Sequence, residues 1–338
     1  MVLQISNYTS RLQLSKESTC MNAKLKYTWM MTKRTFKEFA DDNPLDYAAI
    51  IGFYTIFSLP AILIITIRIA GAAFGQDAVE GEVVNQVGGI VGRSSALQIQ
   101  SIIENASQSE SSAIGTFVGV ATMVFSATTV FVALQDSLNS MWEVKAKPEK
   151  GWLKLIINRV LSLAMVVSLG FLLLVSLSVD VVMGVVNDYL REQLSGIAVY
   201  LITIGNVLVS ILISLVIFAA IFKVLPDAKI RWPNVWVGAT VTAILFVIGK
   251  NVLTIYFQHD PLADTYGAAG SLVLILVWVY YTSVIVLLGA EFTQVYSREH
   301  DRGILPDDTA VKVKKKEVEM DPETGEVKEK EKEKGDSL

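Results

Sequence analysis

Two apolar runs, Pro233–Phe257 and Ala268–Val295, are joined by a short polar link and leave this chain few options. Each exceeds the roughly 20 residues that an α-helix needs to cross a ~30 Å hydrocarbon core. No water reaches that core, so each run must satisfy its backbone hydrogen bonds internally, as a helix does. Lys229, Arg231 and Trp232 enter the pair, and Arg298 and Arg302 leave it. Basic residues with an interfacial Trp mark cytoplasmic ends. The link Gln258–Gly267 has neither Lys nor Arg. The pair therefore reads as a hairpin that rises from the cytoplasm and returns to it.

Four further runs fit the same pattern, giving expected spans at 47–70, 113–134, 160–182, 197–222, 233–257 and 268–295. Lys plus Arg alternates between the segments around them. There are seven up to Asp46, one in 71–112, five in 135–159, one in the next link, three before Pro233, none in 258–267 and ten after Val295. The fold class predicted is all-α, a polytopic membrane protein with six transmembrane helices and both termini cytoplasmic. The composition agrees, with 52% apolar residues and a mean hydropathy of +0.47.

Outside the spans, residues 1–24 read as a flexible extension without the apolar core of a signal peptide. Whether residues 1–20 belong to the native protein is left open, and export is expected to be directed by the first span. Residues 25–46 carry Leu25, Trp29, Phe36 and Phe39 at helical spacing among lysines, the pattern of an interfacial amphipathic helix. Asp46 is a candidate cap for the first span, and Pro60 predicts a kink inside it. The outside loop 71–112 has five acidic residues and one basic one. Trp142 and Trp152 read as belt residues at the interface. Residues 301–338 read as a charged, disordered cytoplasmic tail.

Polar groups inside the spans supply the functional candidates. In the second span Gly115, Gly119, Thr122, Ser126, Thr129, Ala133 and Asp136 fall on one stripe. The stripe is either a packing seam or a cavity wall. Asn206 belongs to a second stripe in the fourth span. Lys250, with Thr254 on its face, either snorkels outward or faces a cavity shared with Asn206. Candidate substrate or translocation residues are thus Lys250, Asn206, Thr122, Ser126 and Thr254. Glu291, Asp136 and Arg231 form a candidate cytoplasmic polar layer, with Glu291 expected to pair with Lys229 or Arg231. Glu291 reads as a structural clamp or as a proton or substrate group.

One cysteine, Cys20, excludes an intrachain disulfide, and His259 and His300 are too few for a histidine metal centre. No phosphate loop, HExxH or Ser-His-Asp order is present. No catalytic residue, cofactor or metal is expected, and the opposed charges of the tail argue against nucleic acid as a partner.

Several local motifs carry a family resemblance. They are Tyr54-Thr55-Ile56-Phe57-Ser58-Leu59-Pro60, Ala133-Leu134-Gln135-Asp136-Ser137-Leu138-Asn139 with Trp142, and Leu225-Pro226-Asp227 with Arg231-Trp232. Gly249-Lys250, Tyr266-Gly267 with Gly270-Ser271-Leu272, and Leu288-Gly289-Ala290-Glu291 complete them. Over roughly residues 25–300 the chain resembles the YihY / virulence factor BrkB family of bacterial inner-membrane proteins, formerly labelled ribonuclease BN. Arg68 and the charged tail depart from its pattern. The resemblance implies a multi-pass protein of the bacterial inner (plasma) membrane with a transport or envelope role. Three functions compete on this footing. The first is a transporter, flippase or channel for a lipid or an anionic or amphipathic small molecule. The second is a non-transporting envelope-assembly scaffold. The third, an enzyme, finds no supporting residues. The partners expected are the lipid bilayer and that substrate, with oligomeric state open.

Overall fold

A computed structural model describes residues 26–75, 80–81, 100–101, 113–147, 160, 164, 197–258, 270–313, 319–320 and 327–328. Helix α1 covers residues 26–41. Five longer helices follow: α2 Pro44–Phe74, α3 Ala113–Met141, α4 Ile197–Val224, α5 Trp232–Gln258 and α6 Gly270–His300. All five are long and apolar enough to cross a bilayer. The chain is thus an all-α membrane protein. The expected span 160–182 lies outside the described residues except for Val160 and Ala164, both helical. So does most of the outside loop 71–112.

Helix α6 is the centre of the described bundle. It packs against α2 on one side and α5 on the other, while α2 carries α3 and α5 carries α4. The α5–α6 contact rests on two glycines. A Cβ on Gly238 would overlap the hydroxyl of Thr293, and one on Gly289 would overlap that of Thr242. Each threonine returns its hydroxyl to its own helix: Thr242 donates to the Gly238 carbonyl at 2.8 Å and Thr293 to the Gly289 carbonyl at 2.6 Å. Two Gly-x-x-x-Thr segments thus face each other antiparallel, the close approach that small residues permit where lipid supplies no hydrophobic drive.

The helix ends differ from the expected ones in informative ways. Helix α2 starts at Pro44, whose missing donor costs nothing in a first turn. Asn43 precedes it in the left-handed region at φ 52° and gives no side-chain cap, so the capping expected of Asp46 is not used. The helix runs unbroken through Pro60. Helix α3 continues to Met141, two turns past the expected end, because Gln135, Ser137 and Asn139 are buried rather than solvated.

Beyond α6 the chain does not leave the bundle. Gly303, at φ +73°, turns it back. Four short strands then form: β1 Val144–Ala146, β2 Ala228–Lys229, β3 Leu305–Pro306 and β4 Ala310–Lys312. β3 pairs antiparallel with β2 and β4 with β1. Lys229 adds ion pairs to Asp307 (3.4 Å) and Asp308. Residues 301–313 are thus a strap across both loops on this side, where a disordered tail was expected to begin. Ile304 and Ala310, each 4% exposed, anchor the strap in the core. Further on, β5 Glu319–Met320 and β6 Val327–Lys328 pair with each other.

Most of the largest fully buried side chains among the described residues lie toward the strap end. Trp142 is fully buried, and its Nε1 donates to the Ala290 carbonyl at 3.0 Å. Its ring centroid lies 6.3 Å from that of Phe222. The expectation of an interfacial belt residue is corrected: an indole N–H with a buried acceptor can go fully inside.

Candidate functional site: an acidic vestibule at the strap end

Three of the motifs meet at this end. Asn139 receives the backbone N–H of Asp227 on its side-chain oxygen (2.8 Å) and donates from Nδ2 to the Asp227 carboxylate (2.9 Å). Gln135, one turn earlier on α3, donates to the same carboxylate at 3.3 Å. The Asp227 carbonyl in turn accepts from the N–H of Asp307 in the strap. The Gln135–Asn139 pair therefore fixes the turn between α4 and α5, and Trp142 ties α3 to the motif that ends in Glu291.

Beside this knot lies an open cavity of about 910 Å³. Its acidic wall comes from Glu38 on α1, Asp41 and Asp42 at the α1–α2 corner, Asp136 on α3 and Glu143 after α3. Lys145 and Arg298 are the basic residues of the lining. Arg298 donates to Glu38 at 2.6 Å and to Glu143 at 3.3 Å. Lys312 donates to the Trp142 carbonyl at 2.7 Å and lies 3.5 Å from Glu143. Burial holds the Lys312 ammonium below the usual lysine range. Arg34 also reaches Glu38, at 2.8 Å, and that hydrogen bond holds its guanidinium above its ordinary value.

Glu291 sits behind this wall, 0% exposed, and neither carboxylate oxygen receives a hydrogen bond. The charged groups acting on it include Asp42, Glu38 and Arg298. Gln294, one turn along α6, links Met141 and Arg298 in the amide orientation that satisfies both.

The structure brings two of the three polar-layer candidates together, with Asp136 in the wall and Glu291 behind it. Arg231 lies elsewhere: it is exposed and pairs with Asp301 at 3.0 Å. The expected pairing of Glu291 with Lys229 or Arg231 is corrected, because Asp301, Asp307 and Asp308 take both cations, while Arg298 and Lys312 act on Glu291 instead. Ser126 proves to be a staple between helices. It donates to the Phe57 carbonyl at 2.9 Å, while Ser58 donates to the Ser126 carbonyl. Thr122 and Lys250 are exposed on α3 and α5. The side chains of Asn206 and Thr254 lie outside the described residues. Sequence reasoning missed Glu38, Glu143 and Arg298. Of these, Arg298 was findable, since Glu291, Gln294 and Arg298 share one helix face at i, i+3 and i+7.

The virulence factor BrkB family model matches residues 35–313. A UPF0761 membrane protein of Tolumonas auensis is 28% identical over 197 residues, 56% of this chain and 59% of the relative. Another, from Verminephrobacter eiseniae, is 26% identical over 276 residues, 79% of this chain and 62% of the relative. The chain thus spans about three fifths of the length of these relatives. No solved structure matches.

Proposed function

The chain belongs to the virulence factor BrkB family, and from that premise we propose that it is a transport protein of a bacterial inner membrane, its strap end toward the cytoplasm. The observation that carries the reading is the acidic vestibule with buried Glu291 behind it. Ionisable groups inside membrane bundles typically face interior paths and mark routes for ions or solutes. A cleft lined by one sign of charge raises the local concentration of the opposite sign. Five carboxylates against Lys145 and Arg298 favour a cation or an amine-bearing amphiphile at this end. The anionic head group suggested by Lys250 is the less supported substrate class. The role is non-enzymatic and needs no bond-making step.

The test is solute-induced current from liposomes holding the purified protein, screened with amine, carboxylate and phosphate solutes. Amine solutes are expected to give current that falls several-fold in Asp136→Asn. No current above protein-free liposomes from any solute would sink the transport reading. Current from anions alone would sink its substrate class. The competing scaffold reading draws on the exposed Trp29 and Phe36 of α1, a surface suited to a partner or to the membrane interface. A stable crosslinked partner through α1, with no solute current, is its expected signature.

A further inference from the structure

We propose that Glu291 is a proton-binding site, loaded and unloaded through the acidic vestibule, and that its proton drives the solute movement. The coupling rests on the transport reading above, whereas the proton site stands on its own geometry.

A carboxylate withdrawn from water needs donors or a counter-cation. No donor group serves either oxygen of ionised Glu291, and the side chain within hydrogen-bonding reach of it is another carboxyl, that of Glu38, which can bond it only by sharing a proton. The nearby cation is already engaged, since the two terminal nitrogens of Arg298 serve Glu38 and Glu143. The ammonium of Lys312, which also acts on Glu291 electrostatically, is held by the Trp142 carbonyl and Glu143. Among the described residues, the elements around Glu291 carry the following groups. Helix α1 presents Glu38, and the α1–α2 corner presents Asp42. The first turns of α2 carry Asp46 and Tyr47, the latter hydrogen-bonded to Ser140. The last turns of α3 carry Asp136, and α5 has no ionisable side chain before Lys250. Ionised Glu291 therefore adds a negative charge beside Glu38 and Asp42. One proton on its carboxyl removes both the repulsion and the unsolvated charge.

Glu38 supplies the route, because it lines the vestibule and also acts directly on Glu291. The proton leaves the Glu291 carboxyl for the Glu38 carboxylate and passes from there to the water of the vestibule. The ionised Glu291 left behind competes for Arg298, and Arg298 holds α1 against α6 through Glu38. Proton loss thus loosens that contact, a local charge change at the α1–α6 seam.

Infrared spectroscopy of the full-length protein in nanodiscs reads the site directly. A neutral carboxyl C=O stretch at neutral pH is expected in the wild type, absent in Glu291→Gln and restored, shifted, in Glu291→Asp. Identical wild-type and Glu291→Gln spectra overturn the proton site. Coupling is read in liposomes with the solute that gives current. An inward proton gradient is expected to speed wild-type uptake several-fold. In Glu291→Gln the acceleration is expected to be lost, uptake being the same with and without the gradient. Uptake indifferent to the proton gradient, or following a sodium gradient at constant pH, overturns the coupling and leaves transport intact. A protein without solute current fails as a transporter, and the infrared band still decides the proton site.

Discussion

Among the described residues the Trp142 indole donates one hydrogen bond, to the Ala290 carbonyl, and meets one aromatic ring, Phe222, and each can be removed separately. Trp142→Phe deletes the donor to the Ala290 carbonyl and keeps most of the ring. It is expected to cost about 1 kcal/mol, the net worth of an ordinary hydrogen bond. Trp142→Ala also opens a cavity and is expected to cost about 3–5 kcal/mol. Thermal unfolding in detergent measures both, and equal losses would discount the hydrogen bond. Asn139→Ala strips the Asp227 turn of a donor and an acceptor together. A loss of about 1.5–3 kcal/mol is expected, since one of the bonds is to a charged group. At this scale the sequence was legible by type and opaque by partner. Glu291 and Asp136 stood out as polar groups at a span's inner end. Their neighbours Glu38, Asp42 and Glu143 come from elements whose convergence no spacing along the chain records.

The α5–α6 pair makes a sharper statement about elements. Gly238→Ala inserts a methyl group where the Thr293 hydroxyl sits, so the helices must separate. The expected loss is about 1–3 kcal/mol. Removing Thr293 as well should recover part of it, because residues in contact do not act additively. Additive losses in the double variant would show that the two positions do not meet. The strap is the second element with a consequence. Asp301 lies below the usual aspartate value, held there by the Arg302 backbone N–H and by Arg231. Asp308 is lowered by Lys229, whose own value the same bond raises. Folded carboxylates with lowered values contribute stability above the unfolded value of 3.8, lost as pH falls through the folded one. The amides of Lys147 and Val313, bonded across the strap, should therefore lose protection relative to free amides at the same pH below about pH 4, while α5 and α6 keep theirs. Hydropathy located the spans, yet it stopped α3 seven residues short. It registers that Gln135, Ser137 and Asn139 are polar and not that they are buried.

At the scale of the molecule, the described helices are tied at one end by chain that follows all of them. Hydropathy made the five described crossings legible, since a run of about twenty apolar residues is local information. The strap was illegible for the opposite reason. Its strands are two and three residues long, and their pairing partners lie some eighty and some hundred and sixty residues earlier. Segments that short carry no periodicity to read.

The position of the strap also sets an order of events during synthesis. Residues 304–313 leave the ribosome after every described span they secure, so the strap ends of α3, α4 and α5 enter the membrane unfastened. A nascent chain arrested before Ile304 should expose the Glu143–Lys147 segment to protease added from that side, and a chain released past Val313 should not. Quality control that samples this segment would then be reading whether residues 304–313 had been made.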